Sequence, residues 1–279
     1  MKCLLCGSLE LKRVNKEYKY DTKEFREYFP NLEIMKCSNC DLVQVSIDNS
    51  TENDRKLFRY YSKIYRDNEM PPKLEDKGTV LYRRGYGISR LIKKYCNHKK
   101  LTIFEKGSGY GYNLMKIHEV FPDAVLYTDE MDEHTEQYLK RIGIKKYVPN
   151  ERKYDIIIIS HVLEHLLNPL ETISEAYSIL EDDGLLYIEV PNSMNYAEPH
   201  ITFWNMESLK NIYKSYLKDK FTLLECYTTG YPRYYRSPFS KVFYEFEKRI
   251  IPDVKMVNKR TCNGVYLRAL LKKEKAYKS

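Results

Sequence analysis

Two histidines and a glutamate fall within five residues, in Ser160-His161-Val162-Leu163-Glu164-His165, and a third histidine follows in Pro199-His200-Ile201-Thr202-Phe203-Trp204. Imidazole changes charge near neutral pH and takes protons from hydroxyls or carbon acids. Together with a carboxylate it also ligates divalent metals. A helical turn after Ser160 would set His161, Glu164 and His165 on one face. His165, His200 and Glu164 are therefore the candidate catalytic residues. Three roles stand open: a general base at His165 or His200, a metal held by these residues and His161 to orient an acceptor's hydroxyls, or hydrogen bonds that merely hold the loop.

Four thiols form a second constellation. Cys3-x-x-Cys6 and Cys37-x-x-Cys40 are two knuckles about thirty residues apart. Each places two thiolates on one side of a turn, and two knuckles complete a tetrahedral Zn(II) site. Such a closed site has no open coordination position, so the expected zinc is structural. Much of the folding free energy of so small a segment would come from the metal. Cys96, Cys226 and Cys262 are isolated and read as ordinary buried thiols.

The elements that must position the histidines begin at Leu101. Three apolar residues (Leu101, Ile103, Phe104) lead into Glu105-Lys106-Gly107-Ser108-Gly109-Tyr110-Gly111, and an apolar helical run follows over Tyr112–Val120. That reads as strand, glycine turn and helix, with backbone amides facing whatever binds there. The dinucleotide fingerprint is not met, since Tyr112 occupies the position of its third glycine. A second strand, Ala124–Thr128, ends in Asp129-Glu130, where an acid can accept both hydroxyls of a ribose. Four consecutive isoleucines, Ile156–Ile159, imply a parallel strand buried on both faces. The His-Glu-His cluster sits at its carboxyl end, where open α/β sheets bind ligands. Helices are expected over His134–Arg141, Leu170–Leu180 and Ser208–Leu217. Strands are expected over Leu42–Val45, Leu185–Val190, Phe221–Thr228 and Gly264–Leu271.

In this order the motifs resemble the class I S-adenosylmethionine-dependent methyltransferases, and within them the branch with an N-terminal four-cysteine zinc segment, common among sugar and secondary-metabolite methyltransferases. The resemblance covers residues 1–45 and about 100–275. It implies an α/β fold with a Rossmann-like seven-stranded sheet. It also implies that S-adenosylmethionine is held by Glu105, Gly107, Ser108, Gly109 and Gly111, by Asp129 or Glu130, and by Ser160 and His161. Some members carry a Glu-x-x-Glu-His metal motif, in whose first position this chain has His161. Two departures stand out. Lys106 replaces a small apolar residue, and the acid that contacts adenine is not evident, leaving Asn150 or Glu151 as substitutes.

Residues 1–50 then form the zinc segment, 51–100 a tyrosine-rich helical linker, and 101–279 the catalytic domain. Residues 230–260 are an insertion over the substrate, with Arg233, Tyr234, Tyr235 and Arg236 suited to a phosphate or sugar acid and a helix around Val242–Ile250. The 279 residues carry a net charge of +8 from scattered lysines. That charge suits an anionic or sugar-like small acceptor better than nucleic acid. No apolar run is long enough for a bilayer span and no signal sequence opens the chain, so a cytoplasmic enzyme is expected. The leading functional reading is methyl transfer to a sugar or nucleotide-sugar in polysaccharide or metabolite synthesis. An RNA methyltransferase and a catalytically inactive zinc-bearing scaffold are the alternatives.

Overall fold

The computed structural model describes residues 1–65, 80–96, 100–192, 195–232, 242 and 264–275. Strands β1 (Leu11–Glu17), β2 (Glu33–Cys37) and β3 (Val43–Val45) pair antiparallel, with helix α1 (Lys23–Tyr28) in the β1–β2 connection. Thr22 caps α1 by accepting from the Phe25 N–H. The hairpin is invisible to periodicity because β1 has no fully buried residue. Its register follows from the two cysteine knuckles, which flank it.

Helix α2 (Thr51–Lys63) starts at a Ser50 cap and buries Leu57 and Tyr60; helix α3 (Val80–Tyr95) buries Ile88 and Ile92. These two helices lie in the stretch read as a helical linker. The body then alternates. Strand β4 (Thr102–Lys106) leads to helix α4 (Tyr112–Val120), β5 (Val125–Thr128) to α5 (Glu133–Arg141), and β6 (Lys145–Lys146) to β7 (Tyr154–Ser160). Helix α6 (Pro169–Ile179), strands β8 (Leu180–Pro191) and β9 (Thr202–Phe203), helix α7 (Met206–Ile212), and strands β10 (Phe221–Pro232) and β11 (Gly264–Lys273) complete it. Where an α-helix was expected as far as Leu217, α7 gives way to a π-helical turn over Tyr213–Leu217. Strand β8 begins at Leu180 rather than at the expected Leu185, with Asp183 inside it at φ 62°.

The seven-stranded sheet implied by the resemblance is present, in the order β10-β11-β8-β7-β4-β5-β6, with β11 antiparallel to both neighbours. All four isoleucines of β7 are 0% exposed. Ile157 and Ile159 point into the layer holding Trp204 and Leu163, and Ile156 and Ile158 into the layer under α3 and α4. Helices α3 and α4 cross closely at Gly85, where a Cβ would meet the Asn113 Cα at 2.8 Å. The direction in which chain connections wind reverses beside β4, which opens a crevice at the carboxyl ends of β4 and β7.

The N-terminal sheet is not self-contained. Its fourth strand is β9, which pairs with β3 through Val43↔Phe203 and Gln44↔Thr202. The apolar cluster beneath it combines Phe25, Ile34, Val45 and Tyr60 with Ile201 and Phe203 from the body. Among the described residues no helix is long and apolar enough to cross a membrane. The expected insertion lies almost entirely outside the described residues, including Arg233–Arg236 and the helix around Val242–Ile250 apart from Val242 itself; Cys262 also lies outside them.

Candidate active site

The crevice holds a cavity of about 510 Å³. Glu105, next to last in β4, lies on its floor, 1% exposed, with Oε1 accepting from Asn113 Nδ2 at 2.6 Å and Oε2 without a hydrogen-bond partner among the described residues. Burial pushes its carboxyl up to about 8, against the opposing pull of the Asn113 hydrogen bond and the Arg84 charge. Gly107, Ser108 and Gly109 line the adjoining wall. Gly111 is set back from the cavity lining. Its φ of 71° turns the chain into α4, and a Cβ there would meet Leu139 Cδ2 at 2.7 Å.

The two acids after β5 have different surroundings. Glu130 lines the cavity, its Oε2 accepting from the Gly109 N–H at 2.7 Å. Asp129 instead accepts from the Gly107 N–H at 2.9 Å and pairs with Lys106 Nζ at 2.8 Å, outside the lining. The unexpected lysine is therefore neutralised locally. Neither Asn150, in a left-handed turn, nor Glu151, paired with Arg152, lines the cavity.

Ser160 ends β7 and His161 follows it, both lining the crevice. His161 adopts φ 57°, a conformation that swings its ring between two carboxylates. Nε2 lies 3.2 Å from Glu189 Oε1 and Nδ1 3.1 Å from Glu164 Oε1. A carboxylate beside each ring nitrogen favours the doubly protonated imidazolium. Burial works against that charge, but Glu164 and Glu189 prevail and raise its pKa. Glu189 is fully buried and also receives Tyr187 and the guanidinium groups of Arg268 and Arg84. Arg84, from α3, lies over the Tyr266 ring and itself lines the cavity.

The predicted helical face after Ser160 is replaced by a single 3-10 turn, Leu163–His165. The left-handed His161 leaves no room for a longer helix, yet the three side chains still converge around Glu164. Glu164 is 1% exposed, and neither oxygen has a well-directed hydrogen bond among the described residues. His161 and the neighbouring histidines outweigh its burial and keep its carboxyl below the usual range. His200 arrives from the loop before β9, with its ring 5.0 Å from that of His165. Burial and the His165 charge hold its pKa down at about 4. Ligating atoms of Glu164, His165 and His200 all lie within 4.8 Å of one another, close enough for one cation.

Tyr61 and Tyr65 of the tyrosine-rich segment also line the cavity, whereas Tyr60 packs in the core below. The sequence left open whether the tyrosines around Tyr60, Tyr61 and Tyr65 close over a ligand or pack on the domain, and nothing in it separates Tyr61 from the others; Arg84 has no motif that marks it.

The four cysteine sulfurs converge at the far end of the N-terminal sheet. Cys3 Sγ and Cys40 Sγ are 3.6 Å apart, as are Cys6 Sγ and Cys37 Sγ, and all four lie within 4.8 Å of one another. A tetrahedron of thiolates about 2.3 Å from zinc has edges of about 3.8 Å, so the geometry fits the ion.

A family model described as a methyltransferase domain matches residues 69–224. No curated protein matches the chain. Among solved structures, the plantazolicin methyltransferase BpumL in complex with SAH is 14% identical, covers 78% of this chain and 94% of its own, and has a TM-score of 0.53. The same protein with a pentazolic desmethylPZN analog and SAH is 16% identical, with 80% and 91% covered and a TM-score of 0.51. At these identities the likeness is one of fold.

Proposed function

The chain belongs to the methyltransferase-domain family, and from that premise we propose that it transfers a methyl group from S-adenosylmethionine to a hydroxyl or amine of a small sugar or nucleotide-sugar. When bound, the cofactor supplies an electrophilic methyl group on a sulfonium. The observation that carries the reading is the shared cavity: the glycine turn with Glu105 and Glu130 lines one side, and Glu164, His165 and His200 the other. Glu105 Oε2 is a free acceptor for the cofactor's ammonium group, and Glu130 for its ribose hydroxyls. Ser160 and His161 border the place where the two sides meet.

On the acceptor side His165 takes the proton of the attacking hydroxyl or amine, and the ionised Glu164 beside it stabilises the resulting imidazolium. In-line positioning supplies the rest. The cysteine cluster holds structural zinc in this reading and keeps β3 paired with β9, two residues after His200. A second reading draws support from Glu164, whose oxygens have no well-directed hydrogen bond among the described residues: they, His165 and His200 hold a divalent cation that binds adjacent hydroxyls of the acceptor.

Calorimetric titration with S-adenosylmethionine, then product analysis with a panel of nucleotide-sugars, tests the main reading. No heat at sub-millimolar cofactor would sink it. Turnover that survives exhaustive chelation, zinc content unchanged, favours the proton-accepting histidine; turnover restored by added magnesium or manganese favours the cation.

A further inference from the structure

His165 is held on the side away from Glu164 by two oxygen atoms that decide where its proton sits. The Tyr61 hydroxyl oxygen is 2.7 Å from the Pro199 carbonyl oxygen and 2.8 Å from His165 Nδ1. A carbonyl only accepts, so the single phenolic proton is committed to Pro199. The phenolic oxygen is then an acceptor toward His165. Pro199 O is itself 3.3 Å from the same nitrogen. Two acceptors around Nδ1 require a proton there, and a neutral ring then has its lone pair on Nε2. That nitrogen faces Glu164 Oε1 at 3.9 Å.

We propose that Tyr61, supplied by α2, is a positioning residue that fixes the tautomer of His165 so that Nε2 is the nitrogen open to the acceptor. The inference rests on the methyltransferase reading of the site, and it holds whether Nε2 takes a proton or a cation. Without the phenol the balance changes. Glu164 is an ionised acceptor beside Nε2 and draws the ring proton to that side, where it blocks the lone pair.

The neighbouring tyrosine on α2 fastens the same loop through a different residue. Tyr60 donates to Glu198 Oε1 at 2.7 Å, and the same carboxylate accepts from the Asp21 and Thr22 amides at 2.8 and 2.9 Å. Residues 60 and 61 thus grip the side chain of Glu198 and the carbonyl of Pro199, one residue before His200. Tyr61 also packs its ring edge-on against His165, with centroids 5.1 Å apart.

The test is nitrogen-15 spectroscopy of the zinc-loaded, histidine-labelled protein, with His165 assigned by its loss in His165→Gln. Wild type is expected to show a protonated Nδ1 and a bare Nε2. Tyr61→Phe should move the tautomer ratio toward Nε2–H by roughly five-fold, which corresponds to the net worth of one neutral hydrogen bond. Tyr60→Phe, which loosens the loop and spares the phenol, should lower the melting temperature and leave the ratio where it is. With an acceptor in hand, Tyr61→Phe should lower kcat and leave the affinity for S-adenosylmethionine unchanged. A wild-type proton on Nε2, or an identical ratio in Tyr61→Phe, overturns the proposal. Failure to bind S-adenosylmethionine in calorimetry would instead remove the methyltransferase reading, so the two failures are distinct.

Discussion

Glu105 stands on the floor of the crevice with one oxygen bonded to Asn113 and the other bare, and its substitution by Gln separates what folding wants from what ligand binding wants. Burial raises the carboxyl from 4.5 to about 8. For an acid whose folded-state pKa is raised, the neutral form is the one folding favours. Nothing is lost below pH 4.5, and stability falls as pH rises toward 8. By pH 7 the unfolded chain carries the charge and the folded chain largely does not. At about 1.36 kcal/mol per pH unit the gap is about 3 kcal/mol. Glutamine removes the titration, and its amide oxygen can still accept from Asn113. Its amide nitrogen replaces a carboxylic hydroxyl that had no better partner. Glu105→Gln should therefore be more stable than wild type by about 2–3 kcal/mol at pH 7, with the difference vanishing near pH 4. Urea midpoints across that range measure it. Equal midpoints at pH 7, or a difference that does not grow with pH, would refute the reasoning. The same variant should bind S-adenosylmethionine more weakly, because the ammonium loses its counter-charge. Wild type should release a proton on binding at pH 7, read by calorimetry in two buffers of different ionisation enthalpy, and the variant should not.

Of the two acids after β5, Glu130→Ala should weaken cofactor binding about ten-fold or more, as expected for loss of a charged hydrogen bond worth roughly 1.5–3 kcal/mol. Asp129→Ala should act mainly through the stability of the glycine turn, seen as a lower urea midpoint; equal losses of affinity in both variants would mean the ribose is held elsewhere. Gly111→Ala puts a methyl group within 2.7 Å of Leu139 Cδ2 and 2.8 Å of Ile144 Cδ1 at φ 71°. A cost of about 1–3 kcal/mol from overpacking is expected, with the strain of a left-handed backbone in addition; thermal unfolding measures it. Cys37→Ser should abolish zinc retention, counted by trace-metal analysis as about one ion per wild-type chain. Because structural zinc binds with roughly 10 kcal/mol, the hairpin should then become protease-sensitive. A variant that still resists proteolysis would show that packing on β9 suffices.

What could be read in the sequence is what carries its own local signature. Helix α4 was bounded to the residue because Gly111 precedes it and Pro122 follows it. Strand β7 announced itself through four isoleucines, since only a doubly covered parallel strand has use for them on both faces. The cysteines were legible because chelation demands the pairing, while the hairpin between them was not, since β1 shows no alternation to detect. The histidines come together by another route than the expected helical face: a left-handed His161 and one 3-10 turn bring them around Glu164. Lys106 looked like a defect in the turn only because Asp129, its partner, lies 23 residues away in sequence. Tyr61 and Arg84 show the same limit more sharply. Each acts through a partner more than a hundred residues distant, His165 for one and Glu189 for the other, and neither has a neighbour in sequence that hints at it. The half of the crevice built by one turn after one strand is thus readable from spacing, whereas the half that controls protons is assembled from α2, α3, the turn after β7 and the loop before β9. Its chemistry resides in the orientation of those parts, so substitutions in α2 should alter His165 as directly as changes beside it.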